Sequence, residues 1–202
     1  MSLNMPAKKA QPAKNSTKNR EAMLNAALDV AAVESWEFVS PLTIAEEAGV
    51  TLRELEAMFP TKASMVQEII DDLDSQVEEA FPVVEQDVPV RDRLFDILME
   101  RIELANQNRA AHLSFLKSFG WTKEMACADV SLLMGSVRRM AKCAGVDTEG
   151  LFGGLRLSGL ALVYSWVMLT WMRDTSPDLG KTMAELDRTL FRAEGLAEYL
   201  NI

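Results

Sequence analysis

The chain has 202 residues, 49% of them hydrophobic and 25% charged, enough to build one large core or two smaller ones. Ten Gly and seven Pro are too few for the turns of an all-β fold, and two cysteines with one histidine argue against a zinc site or a disulfide framework. The net charge of −9 is unevenly spread: residues 1–20 carry five bases and no acid, whereas residues 21–79 carry 14 acids against only Arg53 and Lys62.

Residues 1–16 are mostly Lys, Ala, Pro, Asn and Gln, with little to bury, and are expected to form a disordered basic arm. No apolar run typical of a secretory signal occurs there, so a cytoplasmic location and reduced thiols at Cys127 and Cys143 are expected. From about Thr17 to Glu34, Met23, Leu24, Ala27, Leu28 and Ala31 recur at helical spacing. Trp36, Phe38 and Val39 follow as an apolar turn expected to plug the core beneath that helix.

Ser40-Pro41 supplies an N-cap oxygen followed by proline at the first helical position. The short helix it opens should stop at Gly49, where a left-handed cap is needed. Thr51-Leu52-Arg53-Glu54 fits a capping box, with Leu52, Leu55 and Phe59 on one inward stripe. Pro60 ends that helix, and Thr61 caps a longer one through Met65, Val66, Ile69, Ile70, Leu73 and Val77. Two short helices joined by Gly49-Val50 and packed on a longer one spell a helix-turn-helix, so residues 17–80 are expected to form one domain.

Pro82 to Pro89 marks the boundary to a helical domain over 81–202. Helices are expected at about 91–106, 108–119, 122–144, 148–173 and 177–200, with starts signalled by Thr122, Thr148 and Ser176-Pro177. The run from Leu157 to Met172 is short for a membrane span and carries Arg156 and Arg173 at its ends, so it is expected to be a buried helix. With 177–200 it is expected to form a four-helix bundle across a homodimer.

The residues from Arg20 to Lys62 resemble the N-terminal domain of TetR-family transcriptional regulators. The resemblance is carried by Ala26-Ala27, Phe38, Ser40, Ile44-Ala45, Ala48-Gly49-Val50-Thr51, Leu55, Phe59 and Lys62. It implies an all-α, TetR-repressor-like fold that binds operator DNA as a homodimer. Carried over by position, Thr51, Leu52, Arg53, Glu54 and Ala57 face base edges, with Arg53 suited to guanine, while Ser40, Thr61 and Lys62 hold phosphates. The basic arm from Lys8 to Arg20 then follows the adjacent groove. Where such regulators commonly carry tyrosine, and tyrosine or histidine, this chain has Glu56 and Met58.

The same resemblance implies a small-molecule effector held among the C-terminal helices. Phe115, Phe119, Trp121, Met125, Met134, Met168 and Trp171 are the candidate lining, and the scarcity of charge there points to an apolar or amphipathic effector. His112 and Arg109 are the candidates for a polar end. A second stretch, Trp171 to Asp178 with Thr182 and Leu186-Asp187-Arg188, resembles the end of TetR-fold lipid-binding proteins of ubiquinone biosynthesis, which implies the alternative of a lipid- or isoprenoid-binding protein that does not bind DNA. No nucleophile elbow, P-loop, HExxH or dinucleotide fingerprint occurs, and no enzyme, metal or cofactor is expected. Gly150, Gly153, Gly154 and Gly159 lack a Walker lysine and are read as close helix packing.

Overall fold

The computed structural model describes residues 12–118 and 123–200, with side chains described over 17–118 and 130–199. The described residues form nine helices and no strand: α1 (Pro12–Val33), α2 (Pro41–Glu47), α3 (Leu52–Met58), α4 (Lys62–Ala80), α5 (Val90–Gln107), α6 (Arg109–Ser118), α7 (Lys123–Cys143), α8 (Gly150–Trp171) and α9 (Gly180–Leu200).

The start and stop signals act locally as their chemistry dictates. Ser40 Oγ accepts from the Thr43 N–H at 3.1 Å and opens α2. Gly49 closes it at φ +65°, and its N–H and that of Val50 donate back to Glu46 and Ala45, the paired bonds of a Schellman end. Thr51 and Glu54 complete the capping box of α3, and Thr61 with Ser64 does the same for α4.

Three features depart from the sequence pattern. Helix α1 begins at Pro12, inside the stretch expected to be disordered. Phe38 is 71% exposed, while Trp36 and Val39 on either side of it are buried, so the turn plugs the core with two residues rather than three. Helix α9 starts at Gly180 rather than at Ser176-Pro177. There the carboxylate of buried Asp174 accepts from Ser176 N at 3.0 Å, and from Thr182 N at 2.9 Å and Thr182 Oγ1 at 2.8 Å, while Asp178 Oδ1 accepts from Gly180 N at 3.2 Å, so part of the cap comes from a residue six positions before the helix.

Two apolar cores result. Met23, Ala27, Trp36, Ile44, Leu55, Met65 and Ile69 form the first, joined by Ala111 and Phe115 of α6. Val77, Ile97, Ile102, Met140, Leu157, Val167, Trp171 and Leu186 belong to the second. Helix α4 runs through both, and α6 follows the linker in sequence yet packs against α1. The N-terminal domain therefore sits directly on the helices that surround the cavity described below.

Helix α8 is long and apolar enough by length and composition to cross a membrane. One side of it, through Leu157, Leu160, Ala161, Tyr164, Val167 and Trp171, is packed into the second core. The opposite side is not buried within the chain: Leu151, Leu155, Leu162, Trp166 and Leu169 are exposed, and so is Phe191 of α9. Of the four glycines at its start, Gly153 alone fits the close-packing reading, since a Cβ there would meet the Thr148 carbonyl at 2.3 Å.

Candidate nucleic-acid interface and ligand cavity

The reading surface of the helix-turn-helix is built by α3, whose Leu55 is buried against Ile44 and Ala45 of α2 while Arg53, Glu54, Glu56 and Ala57 are exposed. Leu52 is half-buried. Arg53 has no ion-pair partner among the described residues, so its guanidinium is available to a base edge. Glu54 is committed to its own helix: Oε2 accepts from Thr51 N at 2.9 Å and Thr51 Oγ1 at 2.6 Å. Those bonds hold its carboxylate below the usual range, so it stays ionised.

Two residues expected to face DNA are engaged inside the protein. The Lys62 ammonium donates to the carbonyls of Trp36, Glu37 (3.2 Å) and Val39 (2.9 Å) and lies 4.9 Å from the Trp36 ring centroid. It fastens the turn after α1. Arg20 pairs with Glu68 and with Asp72 at 2.9 Å, tying α1 to α4. Ser40 and Thr61 are exposed at the starts of α2 and α4, as a phosphate contact requires, with their hydroxyls serving as caps. The remaining exposed charge on α2 and α3 is Glu46, Glu47, Glu54 and Glu56 against Arg53.

Between α4, α5, α6, α7 and α8 lies a cavity of about 330 Å³. Leu73, Leu116, Leu132, Leu133, Leu169 and Met172 supply apolar wall, together with Phe115 and Met168 from the expected lining. Met134 and Trp171 pack in the second core but do not line it. Phe119 and Trp121 lie outside the described residues, and Met125 lies where α7 has no described side chains. Of the two candidates for a polar end, His112 lines the cavity, whereas Arg109 is a clasp. Its Nη2 donates to the carbonyls of Trp171 (2.6 Å) and Asp174 (2.7 Å), and its guanidinium stacks 4.5 Å from the Trp171 ring centroid.

The polar part of the wall comes from four helices, through Arg101 of α5, His112 of α6, Ser136 of α7, and Tyr164 and Ser165 of α8. Arg101 of α5 donates from Nε to Asp74 Oδ1 (2.8 Å) and Ser136 Oγ (3.0 Å), and from Nη1 to the Tyr164 hydroxyl. Ser136 Oγ also donates to Asp74 Oδ1 at 2.8 Å. Burial works against the guanidinium charge, but the Asp74 carboxylate and the Tyr164 oxygen retain it. His112 lines the same cavity, and burial, assisted by the charge of Arg101, pushes its imidazole down to about 4, so it is neutral at pH 7. A second, larger hollow of about 480 Å³ between α5 and α9 is a surface groove edged by Arg91, Asp92, Asp96 and Asp187.

No family model matches the chain, and no curated protein matches it. Solved structures do. A TetR transcriptional regulator from Nitrosomonas europaea shares 23% identity over 87% of this chain and 97% of that one, with a TM-score of 0.73. NalD, the secondary repressor of the MexAB-OprM multidrug efflux pump in Pseudomonas aeruginosa, shares 21% over 89% and 97%, with a TM-score of 0.59. The transcriptional regulator FadR from Bacillus subtilis, in complex with stearoyl-CoA, shares 16% over 86% and 96%, with a TM-score of 0.57. The chain has the TetR-regulator fold.

Within this TetR-type fold, the stretch from Trp171 to Thr182 has an explanation of its own. Trp171, Asp174 and Thr182 are all buried, and they form the joint between α8 and α9 with Arg109 and Asn106 locked onto it. The pattern there records a helix junction. The residues that sequence reasoning missed are Asp74, Arg101, Ser136 and Tyr164. A signal was present for two of them: Arg101 falls on the inward face shared by Ile97 and Ala105, and Asp74 lies beside Leu73 and one turn before Val77. Opposite charges at inward positions of two helices mark a buried pair.

Proposed function

We propose that the protein is a one-component TetR-type regulator, a homodimer that binds operator DNA through α2, α3 and the start of α4 and is released or retained by an apolar small molecule in the cavity. The observation that carries this reading is the position of Phe115. Its ring is at once part of the cavity wall and part of the core of the helix-turn-helix domain. A ligand that moves Phe115 acts on the packing that sets the angle of α1 and, through it, of α3. Such a shift needs only that the ligand favour one of two arrangements. The exposed, unpaired Arg53 favours DNA as the partner of α3, and the stearoyl-CoA held by FadR, which shares the fold, shows that the fold can house an acyl chain. The exposed stripe from Leu151 to Leu169, with Phe191 exposed on α9, supports α8 and α9 as the homodimer face.

A second reading is favoured by the charge of the reading surface. Four carboxylates against Arg53, with Lys62 and Arg20 occupied internally, leave little to neutralise phosphates, the term on which DNA affinity most depends. On that reading the protein binds a lipid or isoprenoid and its helix-turn-helix is scaffold.

Fluorescence anisotropy of the full chain against DNA upstream of its own gene and a scrambled control, at low and moderate salt, separates the two. Saturable preference for the upstream fragment supports the regulator. Absence of binding at low salt leaves the lipid-binding protein.

A further inference from the structure

Of the polar groups on the cavity wall, Ser136 and Ser165 give their protons to Asp74 and to the Ala161 carbonyl, whereas Arg101, Tyr164 and His112 keep hydrogen bonds to give that find no acceptor among the described residues. His112 is 8% exposed, lines the cavity, and its ring has no hydrogen-bond partner among the described residues, only an edge contact with Phe115. Tyr164 accepts from Arg101 Nη1, which turns its own hydroxyl proton elsewhere, and no acceptor for that proton occurs among the described residues. Arg101 uses Nε and Nη1, while Nη2 has no partner among them. Buried polar groups in native proteins are almost always satisfied, so three donors left open around one cavity call for an acceptor held inside it.

Charge decides what kind of acceptor. Arg101 is already neutralised by Asp74 at 2.8 Å, and the remaining donors, Tyr164 and His112, are uncharged. A carboxylate would bring a net negative charge into a site without a free cation to match it, which is costly away from water. An uncharged carbonyl oxygen accepts the same hydrogen bonds without that cost. Size sets the rest: a volume of about 330 Å³ is near the lower end for small-molecule sites, which keeps the ligand compact. Resting on the effector reading above, we propose that the cavity takes a compact, uncharged molecule with an apolar body and one carbonyl-type oxygen, received by Arg101, Tyr164 and His112.

The test uses calorimetric titration of the full chain at pH 7 with three probes of similar shape: propiophenone, propylbenzene and 3-phenylpropanoate. Propiophenone is expected to bind about tenfold more tightly than propylbenzene, as one or two satisfied buried donors imply. Tyr164→Phe and His112→Phe should each narrow the ratio of ketone to hydrocarbon affinity, by about threefold or more, whatever either change does to propylbenzene binding itself. Tyr164→Phe removes a single oxygen, so it keeps the test available if His112→Phe folds poorly. Equal affinity of ketone and hydrocarbon overturns the proposal but leaves a ligand-sensing cavity standing. Tighter binding of the phenylpropanoate overturns the choice of an uncharged head. Binding by none of the three overturns both this proposal and the effector reading, whereas loss of DNA binding alone, read separately by anisotropy, touches neither.

Discussion

Trp36 and Phe115 meet edge to face, with ring centroids 4.9 Å apart and ring planes at 78°. The contact is doubled by the backbone, since Trp36 N donates to Ser114 Oγ at 2.7 Å and that hydroxyl donates to the Glu34 carbonyl at 3.2 Å. It is the point at which α6 grips the turn leading into the helix-turn-helix. An edge-to-face pair contributes about 0.5–1.5 kcal/mol beyond the area it buries. A double-mutant cycle with Trp36→Leu and Phe115→Leu, read by urea unfolding, should therefore return a coupling in that range. Additive effects would mean that the two rings merely fill space, and that α6 has no special hold on the N-terminal domain.

Asp74 and Arg101 are expected to behave as a buried ion pair rather than as two independent residues. Removing one partner by Asp74→Ala leaves the guanidinium uncompensated and should cost about 3–5 kcal/mol. The double change Asp74→Leu with Arg101→Met replaces both charges by apolar groups and should recover most of that loss. Urea midpoints of the three proteins decide the matter, and a double variant no more stable than Asp74→Ala would show that the pair's hydrogen bonds to Ser136 and Tyr164 matter more than its charge.

His112 gives the stability a defined acid limb. Its folded-state value, about 4, lies below the ordinary 6.5, so the unfolded chain takes the proton first as pH falls. The stabilisation is complete above about pH 6.5, drains away between 6.5 and 4, and is gone below 4. The shift corresponds to about 3 kcal/mol over that window. Because His112 is the chain's one histidine, subtracting the pH profile of His112→Phe from that of the wild type isolates it. Superimposable profiles between pH 4 and 6.5 would place the imidazole in contact with water.

Lys62 was expected at a phosphate and is found at three carbonyls. Lys62→Met keeps the aliphatic stem but removes the donor, and should lower stability by about 1–3 kcal/mol. If operator DNA is bound, the salt dependence of its affinity should be unchanged in this variant. A slope smaller by about one per contact would instead return Lys62 to the DNA backbone.

Most of the architecture was legible because the helix punctuation is chemical and local. Ser40, Gly49, Thr51 and Thr61 act within three or four residues of themselves, and each does what its side chain dictates. Where a distant group intervenes the local signal misleads: Asp174 takes over the start of α9 from Ser176-Pro177, and the fate of Lys62 is decided by a turn 25 residues earlier. The cavity was half legible for the same reason. Phe115 and Met168 stand out by type, but a buried Arg101 or Asp74 resembles any surface charge until the facing helix is known.

Helix α8 shows most sharply which face of an apolar helix is free. Leu160, near its centre, is only 8% exposed and packs inside its own chain, so a charge there would unfold the protein rather than separate subunits. Leu162 is 73% exposed and shares a stripe with Leu155, Trp166 and Leu169. Leu162→Glu should thus leave helical content and thermal unfolding nearly intact while converting a dimer to monomer in sedimentation velocity. Leu160→Glu should do the reverse, losing cooperative unfolding before any change in mass is seen. If Leu162→Glu still sediments as a dimer, the subunit contact lies elsewhere, and the exposed leucines of α8 face some other partner.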